Sequence, residues 1–462
     1  MRYISTRGQA PEMPFEEAML TGLARDGGLY IPSTVPVLDE AVIADMAGQS
    51  YEEVAYTVMR PFIGETFSDS EFRTLIGQAY AGFGHAARAP LVQIGPNDWI
   101  LELHHGPTLA FKDFAMQLIG QMFEPVLARL DRKITIVVAT SGDTGSAAVE
   151  AFAARKGVAC IVLYPHGRIS EVQRRQMTTP QADNVHALAV EGTFDDCQAL
   201  VKAMFNDFAF RDEVNLAAVN SINWARVLAQ VVYYFTAAVS LGAPARKVDF
   251  SVPTGNFGDI YAGHIARRMG LPIGKLIVAT NENDILHRTL ETGAYKRADV
   301  HPTIAPSMDI QISSNFERLL LELYHGDAGA VRQSMDELKS GGFALSQGAI
   351  ERLREGFVSG RSDEATTMAM IRRIAEQGAT VLDPHTAIGV VAAEQNRGDT
   401  AVPMVTLGTA HAAKFPDAVE QACGQRPSLP PRMADLYERP ERVTVVQNDL
   451  AAVESAVRER RA

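Results

Sequence analysis

The stretch ITIVVA-TSGDTG-SAAVEAFAARK-G-VACIVLYP (134–165) constrains the fold more than any other part of the chain. A β-rich apolar run meets a turn of small residues, then a helical run stopped by Gly157, then a second apolar run. Strand, helix, strand in that order requires parallel pairing and a right-handed crossover. The plan returns in VDFSVP (248–253), TGNFG, DIYAGHIARRM, Gly270 and KLIVAT (275–280). It returns in part where VPMVTLGT (402–409) leads through AHAAK into FPDAVEQA. The recurrence is of plan only, without a residue-level repeat. The expected class is α/β with two lobes.

At 462 residues the chain exceeds what one core usually serves. We expect an N-terminal domain over 1–95, a smaller α/β lobe over 96–240, a larger one over 241–430, and a tail over 431–462. Residues 316–378 read as helices, and the tail offers a short strand, ERVTVVQ, before a final helix. A net charge of −12 argues against a nucleic-acid surface, so a bound anion needs a local basic or amide-lined pocket. Cys160, Cys197 and Cys423 are far apart and make no metal-like pair. The first twenty residues hold no apolar segment of the kind a secretory signal needs. The most apolar stretch, 227–245, is interrupted by Gln230, Thr236 and Ser240 and reads as a buried helix rather than a membrane span. A cytoplasmic protein without membrane or nucleic-acid partners is expected.

Three loops carry chemistry. TGNFGD (254–259) joins a strand to a helix, so several backbone N–H groups and the helix N-terminus point at one place where a phosphate fits. It matches neither GxGxxG nor GxxxxGK[ST]. TSGDTG (140–145) is a second small-residue loop before a helix; it can hold a carboxylate or phosphate, or simply cap the helix. Lys112 stands inside the apolar approach HHGPTLAF, with a helix-like run from Asp113. A buried lysine has a lowered pKa, and its neutral amine bonds carbonyl carbon. A phosphate cradle and a reactive amine together match what pyridoxal 5′-phosphate requires.

Taken in order, these blocks make the chain resemble the threonine synthase family, in its longer bacterial and fungal type. The resemblance runs through MRYISTRG, DGGLYIP (26–32), HHGPTLAFKDFA, ATSGDTGSAA, EGTFDDCQALVK (191–202), NSINWARVLAQ (220–230), SVPTGNFGDIYAG and LGTAHAAKFP (407–416). It implies the second fold type of pyridoxal-phosphate enzymes, the tryptophan-synthase-β-like architecture, with an N-terminal extension. By the resemblance, Lys112 is the catalytic lysine that bonds the cofactor and later carries protons. Gly255, Asn256, Phe257, Gly258 and Asp259 form the cofactor phosphate loop, and Thr409 stands beside the pyridine nitrogen. Ser141, Gly142, Asp143, Thr144 and Gly145 receive the substrate carboxylate; relatives with other reactions usually have Asn where Asp143 stands. The implied reaction converts O-phospho-L-homoserine and water to L-threonine and phosphate, in a monomer or homodimer without a metal.

The substrate's own phosphate needs a second pocket. Arg7, Asn315, Arg318, His411 and Lys414 are the candidates, each weighed against ordinary ion pairing. The family often has Pro after the TAH histidine, where this chain has Ala412. Asn220, Ser221, Asn223 and Arg226 can line the cleft, while Trp224 reads as packing. His385, in DPHTA, reads as structural, and His104 and His105 as groups that orient the Lys112 loop rather than ligate metal. The alternatives are a serine or threonine dehydratase of the same fold type, a phospholyase that adds no water, a non-catalytic binding homologue, and a nucleotide-binding oxidoreductase. Retention of Lys112 speaks against the third and the missing GxGxxG against the fourth.

Overall fold

The structure, a computed structural model, describes all 462 residues. Two sheets organise it. The larger has six strands in the spatial order Val358–Arg361, Ile273–Thr280, Val248–Pro253, Met404–Gly408, Asp98–Glu102, Leu91–Gln93. All pair in parallel except the last, which runs antiparallel to its neighbour. The smaller sheet is parallel throughout: Thr444–Gln447, Val185–Glu191, Val158–Pro165, Ile134–Ala139, Leu216–Ala217. The central strand Val158–Pro165 is buried at all eight positions, as expected of a strand covered by helices on both faces.

Two expected boundaries move. Asp98–Glu102, assigned to the smaller lobe, pairs with Met404–Gly408 and belongs to the larger sheet. The tail is not a separate unit either. Its strand Thr444–Gln447 extends the smaller sheet, and Val453 and Val457 of the final helix pack in one cluster with Leu200 and Met204. Strand pairing between segments so far apart leaves no local trace in sequence. The helices expected over 316–378 are present as Phe316–Leu323, Ala328–Lys339, Gln347–Gly356 and Glu364–Glu376. Two short strands, Gly342–Ala344 and Val358–Arg361, interrupt them.

The helix Trp224–Ser240 lies in the main core, and its Tyr233 packs edge-on against Phe114 of Lys112–Leu130. It packs closely on Gly258–Arg268: a Cβ at Gly263 would lie 2.8 Å from the Tyr234 ring. The N-terminal helices Tyr51–Ile63 and Asp69–Tyr80 cover the same region, where the rings of Tyr51, Tyr80 and Phe114 pack edge-on or tilted against one another. No helix is long and apolar enough to cross a membrane.

Candidate active site

Lys112 is the first residue of its helix and is 8% exposed. The loop that delivers it is tied down on both sides. Asp113 accepts from the Thr108 hydroxyl at 2.6 Å and the Thr108 amide at 2.8 Å. The Phe111 amide donates to the Thr409 carbonyl, and the His411 amide to that of Leu109, whose φ of 64° is left-handed. Lys112 is therefore held inside the protein, not at a solvated helix start.

Its ammonium faces the SGDTG loop. Nζ lies 3.1 Å from Asp143 Oδ2 and 3.5 Å from Ser307 Oγ. The other oxygen, Asp143 Oδ1, receives Gln173 Nε2 at 2.9 Å and Lys414 Nζ at 3.0 Å. Burial pushes the Lys112 amine down from its ordinary pKa, against the pull of Asp143, and the positive charges of Lys414 and Arg226 push the same way. Burial alone would raise the Asp143 carboxyl, but Lys112 and Lys414 outweigh it and hold it well below the usual carboxylate range.

Small residues are required in this loop. Gly142 has φ of 137°, and a Cβ there would lie 2.3 Å from the Gln173 side chain. A Cβ at Gly145 would lie 2.5 Å from Met177. The Thr140 hydroxyl accepts from both glycine amides at 2.9 Å. Ser141 and Thr144 stay half-buried.

The GNFGD loop has the form of an anion cradle. Phe257 adopts φ of 62° and the helix starts at Gly258, so successive amides converge. Asn315, a candidate for the substrate phosphate, braces this loop: its Nδ2 donates to the Asn256 and Ser221 carbonyls, each at 3.0 Å. Ser314 Oγ donates to Asn256 Oδ1 at 3.1 Å. Asp259 departs from expectation in its side chain, which accepts from the hydroxyls of Tyr233 and Tyr234 and is turned into the helix packing. Burial raises that carboxyl to about 7, against those two hydrogen bonds. Thr409, buried at the end of Met404–Gly408, lies against the Lys112 loop through its carbonyl.

Three candidates for the second phosphate are already engaged within the protein. Arg7 is forked onto Glu317 with two contacts of 3.0 Å. Arg318 is fully buried and donates to the Tyr30 and Ile222 carbonyls and to Asn315. Lys414, with no exposed side-chain surface, joins Asp143 and donates to the Thr108 carbonyl at 2.7 Å. His411 packs edge-on against His104 and accepts the Ala413 amide at Nδ1. Burial pushes its ring down, and that of His104 to about 4, so both are neutral near pH 7.

Arg226 is different. It is buried, yet its Nε and Nη1 have no partner in the protein, and the Asn220 side-chain oxygen nearby in sequence is also unpaired. Burial lowers this guanidinium to about 10, so it remains charged at neutral pH. The Asp259 carboxyl, whose Oδ2 is likewise unpaired, acts on it by charge without a hydrogen bond, and a buried guanidinium with open donors is costly unless an acceptor completes it. Sequence reasoning missed Ser307 and Gln173, which no motif marks. It also missed that His385 accepts the Ser307 amide at 3.2 Å while Asp383 holds its other nitrogen at 2.9 Å.

A buried amine of lowered pKa, a glycine loop whose Gly255 has no room for a Cβ (2.7 Å from the Ser307 carbonyl), and an unpaired guanidinium fit a bound pyridoxal phosphate. Known proteins point the same way. Residues 85–346 match the family model described as pyridoxal-phosphate dependent enzyme. Residues 2–80 match threonine synthase N terminus, and residues 386–457 match threonine synthase, C-terminal. The chain is 52% identical over 459 residues to a threonine synthase of Pseudomonas aeruginosa, covering 99% of this chain and 98% of that one. It is 43% identical over 500 residues to that of Saccharomyces cerevisiae, covering 99% and 97%. It superposes on the crystal structure of PLP-bound threonine synthase from Brucella melitensis with a TM-score of 0.96, at 55% identity, covering 100% and 99%.

Fold and site together define a pyridoxal-phosphate-dependent enzyme of the second fold type. Within that class, the chain belongs to the threonine synthase family, in the longer form that carries the N-terminal domain.

Proposed function

We propose that the protein converts O-phospho-L-homoserine and water to L-threonine and phosphate, as a cytoplasmic monomer or homodimer. The reading is supported above all by Arg226. The site carries a glycine loop suited to the cofactor phosphate and, in the first turn of the helix that packs on it, a buried guanidinium whose Nε and Nη1 are unpaired and free for the phosphate of the substrate. A dehydratase of serine or threonine has no use for that second anion site.

Lys112 would hold the cofactor, with the amides of the 255–258 loop around its phosphate and Thr409 at its ring. When bound, pyridoxal phosphate supplies an electron-withdrawing ring that makes the substrate Cα–H acidic. The Lys112 amine, depressed by burial, takes and returns protons at Cα and Cβ; such transfer contributes about 10²–10⁴-fold. The amides and hydroxyls of Ser141 and Thr144 orient the carboxylate of the substrate. Arg226 grips the phosphate as it leaves.

The test offers O-phosphohomoserine and L-threonine separately and measures phosphate, threonine and 2-oxobutyrate by mass spectrometry. Phosphate and threonine from the phosphoester are expected. Phosphate with 2-oxobutyrate and ammonia would instead identify the phospholyase, and keto acid from threonine alone would identify the dehydratase. Lys112→Ala is expected to lose the visible absorbance of the holoenzyme and its activity together.

A further inference from the structure

We infer that Lys414 is a positioning residue for the chemistry at Lys112: it is the permanent counter-ion of Asp143, keeping that carboxylate ionised and aimed at the Lys112 nitrogen whether or not that nitrogen is charged. The inference rests on the reading of Lys112 as the cofactor-binding amine.

The geometry sets the two lysines apart. Asp143 stands between them, 3.1 Å from Lys112 through Oδ2 and 3.0 Å from Lys414 through Oδ1. Lys414 has no exposed side-chain surface and a second strong acceptor, the Thr108 carbonyl at 2.7 Å. Lys112 has only Ser307 Oγ at 3.5 Å besides Asp143. Two ammonium groups on one carboxylate leave a surplus positive charge in a buried centre, where an unbalanced charge is costly. The proton is released from the less well-held amine. Lys112 thus becomes neutral while Asp143 keeps a partner, and the carboxylate stays fixed when Lys112 is bonded or swings away.

The other groups facing this centre are Arg226 from Trp224–Ser240, His385 from Pro384–Gln395 and, on the Lys414 side, the buried carboxyl of Asp113, with the neutral Gln173 and Ser307 closing it. A neutral amide at 143 would need no such cation. Asp143 and Lys414 therefore work as a matched pair, and a change at one is tolerated only with a change at the other.

Lys414→Gln keeps a donor for the Thr108 carbonyl and removes the charge. In the holoenzyme, the pH midpoint for loss of the proton on the Lys112 nitrogen is read from the visible absorbance. Loss of a neighbouring cation is expected to move it up by about one to three units in Lys414→Gln, and loss of the anion to move it down by a similar amount in Asp143→Asn. The double variant Asp143→Asn/Lys414→Gln is expected to return to within about half a unit of the parent, because the two shifts have opposite sign and cancel. An unmoved midpoint in Lys414→Gln, or a double variant displaced further than both singles, would overturn the inference. Where a variant retains no cofactor, acetylation of Lys112 across pH in the unloaded chain, followed by mass spectrometry, reads the same midpoint and decides the same question. Failure of the parent protein to show any Lys112-dependent absorbance would strike the cofactor reading instead, and the acetylation midpoints would still decide the part played by Lys414.

Discussion

Arg226 and Asp259 show how single side chains carry both stability and function. With two guanidinium donors unpaired, Arg226→Met should weaken use of the phosphoester by about 10- to 100-fold in KM, the scale of hydrogen bonds to a charged group. Arg226→Lys should recover only part of this, since an ammonium is a point charge without the fork. Cofactor retention should change far less, and a parallel loss would move Arg226 to the cofactor site. Asp259 makes the reverse demand on pH. Its folded pKa, about 7, lies above the unfolded value, so the native state binds the extra proton and stability falls as pH rises from about 4 to about 7. Asp259→Asn should therefore gain stability relative to the parent at pH 7.5 and not at pH 4, by a few kcal/mol at most, as read from urea midpoints. Lys112 was legible in the sequence because an apolar approach to a lone lysine is itself informative. The ion pair of Arg7 and the carbonyl contacts of Arg318 were illegible for a definite reason. A sequence displays a positive charge but not the groups that fill it, and Glu317 lies 310 residues from Arg7.

At the scale of elements, the start of Trp224–Ser240 decides where Arg226 points. Asn223 caps that helix by accepting the Ala225 amide at 3.0 Å, while its Nδ2 donates to the Met19 and Ala218 carbonyls, each at 2.8 Å. One side chain thereby fixes the helix to the N-terminal domain and to the smaller sheet. Asn223→Ala should cost about 2–4 kcal/mol in unfolding free energy, a lost cap plus two orphaned buried carbonyls. It should also raise KM, because Arg226 sits in the first helical turn; an unchanged KM would separate the cap from the site. The strand–turn–helix units at 134–165 and 248–280 were readable because their periodicity and glycine stops are local. The pairing of Asp98–Glu102 with Met404–Gly408 was not, since a buried parallel strand reads the same whichever sheet receives it. The helical reading of 316–378 passed over Val358–Arg361 because a four-residue edge strand carries too little pattern to register.

Across the whole molecule, the C-terminal tail closes over the loop that aims Lys112. Met433 and Leu436 form a small cluster with Leu109 and Val172, and Arg432 donates to the His105 and Gly106 carbonyls at 3.1 and 2.9 Å. Thr444–Gln447 then pairs with Val185–Glu191, so the clamp is anchored to the smaller sheet while the loop it presses is tied to the larger one. Loop 104–111 is thus gripped from both sheets. Leu109 holds a left-handed conformation that a bulky non-glycine residue keeps only under such constraint. Leu436→Ala removes a side chain that is 1% exposed and should cost about 2–4 kcal/mol. Much of that loss should fall on the loop. Amide exchange over 104–111 should accelerate ahead of the strands 134–139 and 158–165, and cofactor should dissociate faster although the polar partners of Lys112, Asp143 and Ser307, lie outside the tail. A chain ending at Pro430 should show the same loop exchange with a larger drop in thermal midpoint, because it loses the edge strand as well. Equal acceleration throughout the protein in Leu436→Ala would mean that the tail contributes only general stability; acceleration confined to 104–111 would make it the brace that holds the reactive amine between the two lobes.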